Sequence, residues 1–185
     1  MTRFASCNRR VQPEREYNTG FRRLIRVKPG LTGSVDTSGL DSGADHARDV
    51  DEAVKIFEQY NIDFGGGPPI HYLIADPSGK AVLIEFYQGE MILLPNEAAW
   101  HMATNHLRCI AEGDGGCPRY RTISAQLTAA NGQLDPQAAM QLLSEVKQGM
   151  TQWSTVYDMT SGYINVVISG FYDAIYSFHL ERLNP

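Results

Sequence analysis

Asn105 and Arg119 are the residues whose types and spacing could do chemistry together. Both lie in "HMATNHLRCIAEGDGGCPRYRTI", His101 to Ile123. An asparagine amide is a neutral hydrogen-bond donor that keeps its proton near neutral pH. Such a donor suits an oxyanion hole, where charge appears only in the transition state. The N-terminus of a helix is a positive dipole end, where a cation is disfavoured by roughly 0.3–1 kcal/mol. An arginine in the first helical turn, as "CPRYR" implies, fits a clamp for an anion or a carbonyl better than a stability requirement. The plain alternative is a turn asparagine and a surface charge, and for an isolated asparagine that alternative is the commoner one.

Other reactive side chains assemble less well. His101, His106, Cys109 and Cys117 are zinc-ligand types, but their spacing matches no standard pattern, so no metal is expected. Gly65 to Gly67 lack the Gly-Lys-Ser/Thr and the following helix of a phosphate loop, and no cofactor is expected. No Gly-x-Ser-x-Gly occurs, nor a convincing Ser/His/Asp set. Cys7 is the one early cysteine, and Thr2 would be exposed if Met1 were removed. Three cysteines are too few for a disulfide framework.

The elements that must position Asn105 and Arg119 follow from pattern. Residues 1–47 read as a basic arm followed by a Gly/Ser/Asp-rich linker, poorly ordered. Eight basic residues face two acidic ones up to Lys28, against eight basic and nineteen acidic from Pro29 onward. An acidic body argues against nucleic acid as the main partner. "DVDEAVKIFEQY" reads as a helix with Asp49 as N-cap and Glu52 three residues on, burying Val50, Ala53, Val54, Phe57 and Tyr60. "IHYLIAD", "AVLIEFY" and "MILLPN" read as strands joined at Ser78-Gly79 and Gln88-Gly89. "AAWHMATNH" reads as a fourth strand running out at Asn105. "PRYRTISAQLTAANG" and "DPQAAMQLLSEVKQG" read as helices, the second with Asp135 as cap, Leu142, Leu143 and Val146 inward, and Gly149 as stop. "WSTVYDM", "YINVVIS" and "AIYSFHLE" close the chain as strands.

Strands in runs, then helices in runs, define an α+β layered protein with mostly antiparallel sheets, one domain over residues 48–185. The 43% apolar and 20% charged content of the 185 residues is ordinary for a globular chain. No apolar run reaches the roughly 20 residues of a membrane span, and "MTRFASCNRR" lacks the apolar core of a signal peptide. A cytoplasmic location and no membrane partner are the resulting expectations.

The ordered pieces carry a resemblance. "IHYLIADPSGKAVLIEF" is similar to a hairpin with Asp-x-x-Gly and a following Glu. "ATNH" is similar to a Thr-Asn element, and "CPRYRTI" to a Ser-Arg-Tyr/Phe helix start. "TQWSTVYDMTSGYINVVI" and "AIYSFHL" are similar to closing strands. Together, over roughly three quarters of the chain, they resemble the C-terminal part of the choloylglycine hydrolase / penicillin V acylase family. These are linear amide C–N hydrolases of the N-terminal-nucleophile (Ntn) superfamily.

The resemblance implies a four-layer αββα sandwich, present in part. It implies amide hydrolysis by an N-terminal cysteine whose own α-amino group is the base. It gives Asn105 a place in the oxyanion hole and Arg119 a role in ordering the nucleophile site. The family's Cys and Arg-x-x-Asp element has no counterpart in residues 1–47, where Arg26 rather than an acid follows Arg23. The expectation is therefore a truncated or catalytically incomplete hydrolase. The alternative is a non-enzymatic protein that binds an acylated small molecule at an Asn105/Arg119 pocket. A sheet shorn of strands would expose an apolar face, so a second chain or self-association is also expected, with Trp100, Trp153, Tyr163 and Phe171 on that surface.

Overall fold

Two dipeptide strands, β1 (Arg3–Phe4) and β2 (Ile25–Arg26), precede helix α1 (Val50–Phe57), and a third, β3 (Asn61–Ile62), follows it. The computed structural model describes residues 3–4, 25–26, 47–62 and 71–180. The expectations at Thr2, Cys7 and Gly65 to Gly67, and most of the arm and linker, lie outside the described residues. Within residues 1–47, β1 and β2 are both paired, β2 running antiparallel to β3. By contacts the chain divides into two compact units, one of residues 16–97 and 101–115, the other of residues 1–15, 98–100 and 116–185.

The first unit is built on a three-stranded antiparallel meander: β4 (His71–Ala75), β5 (Ala81–Tyr87) and β6 (Glu90–Pro95), in that spatial order. Gln88 and Gly89 both take positive φ (52° and 79°), which turns β5 into β6 with the twist a two-residue hairpin requires. Strand alternation sends Val82, Ile84 and Phe86 to one face. There they form a core with Val50 and Phe57 of α1, and Tyr72, Ile74 and Met91 pack around it. The Phe57 ring lies 4.8 Å from that of Tyr72.

The start of α1 is doubly held. The Asp49 carboxylate accepts from the Glu52 N–H at 2.8 Å. The Glu52 carboxylate reaches back to the Arg48 N–H, also at 2.8 Å, one residue before the cap. Asp76, at the β4–β5 turn, accepts from the Val50 N–H at 3.1 Å and fastens the helix to the sheet.

The other face of β5 carries Ala81, Leu83 and Glu85, all buried. The segment after β6 lies against this face. His101 Nε2 meets the Leu94 carbonyl at 2.8 Å, and the Arg108 and Cys109 amides reach Glu85. This corrects one expectation: residues 98–106 are irregular, not a fourth strand. Anchored at β6 by His101 and at β5 by Glu85, the segment crosses the sheet instead of extending its edge.

The second unit contains α2 (Pro118–Ala129), α3 (Pro136–Glu145) and three strands, β7 (Trp153–Tyr157), β8 (Tyr163–Ile168) and β9 (Tyr176–His179). Its antiparallel sheet has the order β1-β7-β8-β9. Asp135 caps α3 by accepting from the Ala138 N–H at 2.8 Å. Ala139 and Met140 of α3 pack on Val156 and Val167 of the sheet, with Leu134, Leu143 and Tyr172 around them. The inward face of α3 is thus centred on Ala139, Met140 and Leu142, a turn earlier than expected. Val146 is the C-cap, so the helix ends short of Gly149.

Register places Ile164, Val166, Tyr176 and Phe178 on the sheet face away from Val167. Tyr176 and Phe178 are exposed there, and so is Tyr163 on the α3 side. Phe171 is the most exposed large apolar residue of the described set, at 71%, whereas Trp100 and Trp153 are half-buried. The described architecture is α+β with small antiparallel sheets. No helix of the described residues is long and apolar enough to cross a membrane.

Candidate functional site

Glu85 is the chemical centre of the first unit. It sits in the middle strand of a three-stranded sheet and has no exposed surface. A carboxylate can be buried only where hydrogen bonds replace its hydration. Here Oε1 accepts from the Arg108 N–H and Oε2 from the next amide, that of Cys109, each at 2.8 Å. His71, directly opposite on β4, brings Nδ1 to 3.2 Å from Oε1. Burial alone would push this carboxyl up. The two amides, the Cys109 thiol and His71 outweigh it and hold Glu85 below the usual carboxylate range.

The same contact works oppositely on Cys109. Burial raises its thiol first, and the hydrogen bond and charge of Glu85 raise it further, to about 11. Near neutral pH this thiol is protonated and therefore a poor nucleophile. Glu85 has both oxygens engaged, which removes it as a free acid or base. The dyad is a clamp on the chain rather than reactive machinery.

What the clamp holds is the stretch that bears Asn105. Thr104 and Leu107 are buried on either side, and Asn105 between them is exposed. Thr104 Oγ1 lies 3.1 Å from His106 Nδ1. The His106 ring lies flat against Gly115, where an added Cβ would come within 2.6 Å of Cδ2. Arg108 Nη1 donates to the Gly113 carbonyl at 3.0 Å. Asn105 is thereby offered outward from a loop tied down on both sides.

Arg119 belongs to the other unit, so the structure describes each residue in its own frame. It occupies the first turn of α2, behind Pro118, as the sequence implies. That turn contains no acidic residue, and the N-cap Cys117 makes no side-chain capping bond. Among the described residues, no hydrogen bond or ion pair engages the Asn105 amide or the Arg119 guanidinium. Three of the four metal-ligand types have other attachments, His101 to Leu94, His106 to Thr104 and Cys109 to Glu85, while Cys117 stands at the N-cap position of α2.

Glu85 is the residue that motif reasoning passes over, although one signal was present. It is the single charge inside the apolar run "AVLIEFY" of β5. A charge in a strand buried on both faces must be matched by donors brought from elsewhere.

Compared with known proteins, the chain matches no family model, no curated protein and no solved structure.

Proposed function

We propose that the chain handles acylated amides, as a linear amide C–N hydrolase of the choloylglycine hydrolase / penicillin V acylase type or a catalytically incomplete relative of one. The observation that carries this reading is Asn105: an exposed neutral donor, unengaged among the described residues, on a loop fixed by buried neighbours. A preorganised donor of this kind polarises a carbonyl oxygen without reorganising when charge develops. The αββα arrangement of the Ntn superfamily is part of the same proposal, supported by the mixture of helices with small antiparallel sheets. Arg119, in a helical turn with no acidic residue and no side-chain cap, has a setting that suits a carboxylate or a carbonyl.

The Cys109 observation favours the binding alternative. With its thiol raised to about 11 and bonded to Glu85, Cys109 cannot replace an N-terminal nucleophile. A chain that uses Asn105 only to hold an acylated small molecule needs no activated thiol.

Self-association is a further element of the proposal, supported by the exposed Tyr163, Tyr176 and Phe178 around β8 and β9.

The test is turnover of glycine-conjugated bile salts, penicillin V and N-acyl amino acids by the purified chain, with Cys7→Ala and Asn105→Ala alongside. Hydrolysis lost in Asn105→Ala supports the hydrolase. Saturable binding without hydrolysis, weakened in Asn105→Ala, supports the binding protein. No hydrolysis and no binding by folded protein rejects both.

A further inference from the structure

We infer that Glu85 is a positioning residue for Asn105. The inference deepens the amide-handling proposal and rests on it for its functional consequence. Three observations carry it. The Glu85 carboxylate spans two consecutive amides, those of Arg108 and Cys109, at 2.8 Å each. One carboxylate bridging two successive N–H groups fixes the orientation of both peptide planes, because each plane is rigid. Those planes begin three residues after Asn105, within one continuous irregular segment. Such a segment has no ladder of its own to hold it, so its shape comes from side-chain anchors.

The second observation is where Glu85 stands. It lies in the central strand, hydrogen-bonded to neighbours on both sides, the most rigid location the first unit offers. His71 is its register partner and approaches Oε1 from β4, so the carboxylate is steadied from within the sheet. The third is the symmetry of the loop's attachments. Upstream, His101 is bound at Leu94 and Thr104 is buried. Downstream, the Glu85 side chain binds the backbone of this segment at two amides. Without it the segment loses its bond to the sheet on the downstream side, where the burial of Leu107 and the bond from Arg108 to Gly113 remain. Packing alone does not explain a buried charge here, since a well-packed apolar residue would cost less.

The experiment uses the full chain as wild type, Glu85→Gln, Glu85→Asp, Asn105→Ala and the combined Glu85→Gln/Asn105→Ala. Glu85→Asp keeps the charge but is one methylene too short to span both amides, and it stands in if Glu85→Gln does not fold. Three quantities are read: amide hydrogen exchange at Arg108 and Cys109, the backbone chemical shifts of Asn105, and the Kd for N-lauroylglycine. In a folded Glu85 variant, exchange at both amides should rise at least tenfold and the Asn105 shifts should move. Affinity should fall about fivefold, the size of one neutral hydrogen bond, as in Asn105→Ala. The combined variant should bind no more weakly than Asn105→Ala, because Glu85 acts through Asn105. Additive losses, or unmoved Asn105 shifts in a folded variant, overturn the inference. If wild type does not bind the probe, the amide-handling proposal has failed at that probe, and the Asn105 shifts still decide the positioning role.

Discussion

Glu85 and Cys109, 24 positions apart, share a hydrogen bond in which the Cys109 amide donates to Glu85 Oε2 at 2.8 Å. The Cys109 thiol points to the same carboxylate, so the contact that stabilises the charge on Glu85 also keeps the thiol protonated. One buried group thereby anchors the loop behind Asn105 and keeps the Cys109 thiol protonated.

Acid should loosen this loop. The carboxyl is held below its ordinary value of 4.5 in the folded chain. A group with a depressed folded pKa contributes its stability above the unfolded value and loses it as pH falls through the folded one. Thermal melts from pH 7 down to about pH 2 should therefore show a loss that begins near the ordinary carboxylate range. Glu85→Gln should lower stability at pH 7 by about 3 kcal/mol, since one buried amide then faces another donor, and should flatten the acid limb. A variant whose melting curve tracks wild type through the acid range would show that Glu85 is not the linked group.

Cys109 should react slowly with Ellman's reagent at neutral pH. Its labelling rate should rise with a midpoint near 11 rather than near 9.0. In Glu85→Gln the burial remains but the charge of Glu85 is gone, so the midpoint should move down. Rapid labelling of native Cys109 at pH 7 would contradict the half-buried, bonded thiol.

How far the sequence disclosed these features depends on whether the cause was local. Asp49 and Asp135 are legible as caps because the groups they satisfy lie three residues away. Gln88-Gly89 is legible because the turn demands positive φ at both positions. The segment 98–106 has the β-like alternation of a strand but folds as an irregular crossing. Its deciding partners, Leu94 and Glu85, are set by tertiary position rather than by neighbours in sequence. The Asn105 and Arg119 side chains were legible as types, and Arg119 also as a place, the first turn of a helix, whereas Asn105 was expected at a strand end and lies within an irregular segment. Glu85 was not, because its meaning lies in two backbone amides that no motif records.

Gly115 should be more sensitive to substitution than Gly113. Both have positive φ, 57° at Gly113 and 59° at Gly115, so alanine costs about 1–2 kcal/mol at either for backbone reasons. At Gly113 nothing lies within 4 Å of the added Cβ. At Gly115 the His106 ring stands 2.6–2.9 Å away and must be displaced. Urea unfolding should place Gly115→Ala clearly below Gly113→Ala, and the His106 resonances should shift only in the former. Equal midpoints would mean that the ring does not rest on Gly115.

Among the described residues, the sheet β1-β7-β8-β9 ends at β9 on an edge that invites a partner. All four residues of β9 are exposed, and none is a lysine or a proline, the residues that usually protect an edge. Tyr176 and Phe178 add exposed apolar surface on one face of that edge strand, at 55% and 57%. Burial of such surface is worth roughly 25 cal/mol per Å2, which favours association once two edges align. Sedimentation velocity should show a concentration-dependent species heavier than 20.6 kDa. Phe178→Lys places a charge on the exposed face and should return the chain to a single light species without lowering its melting temperature, because Phe178 lies outside the Val156–Val167 core. A wild-type chain that sediments as one light species at every concentration would show that this edge does not recruit another copy.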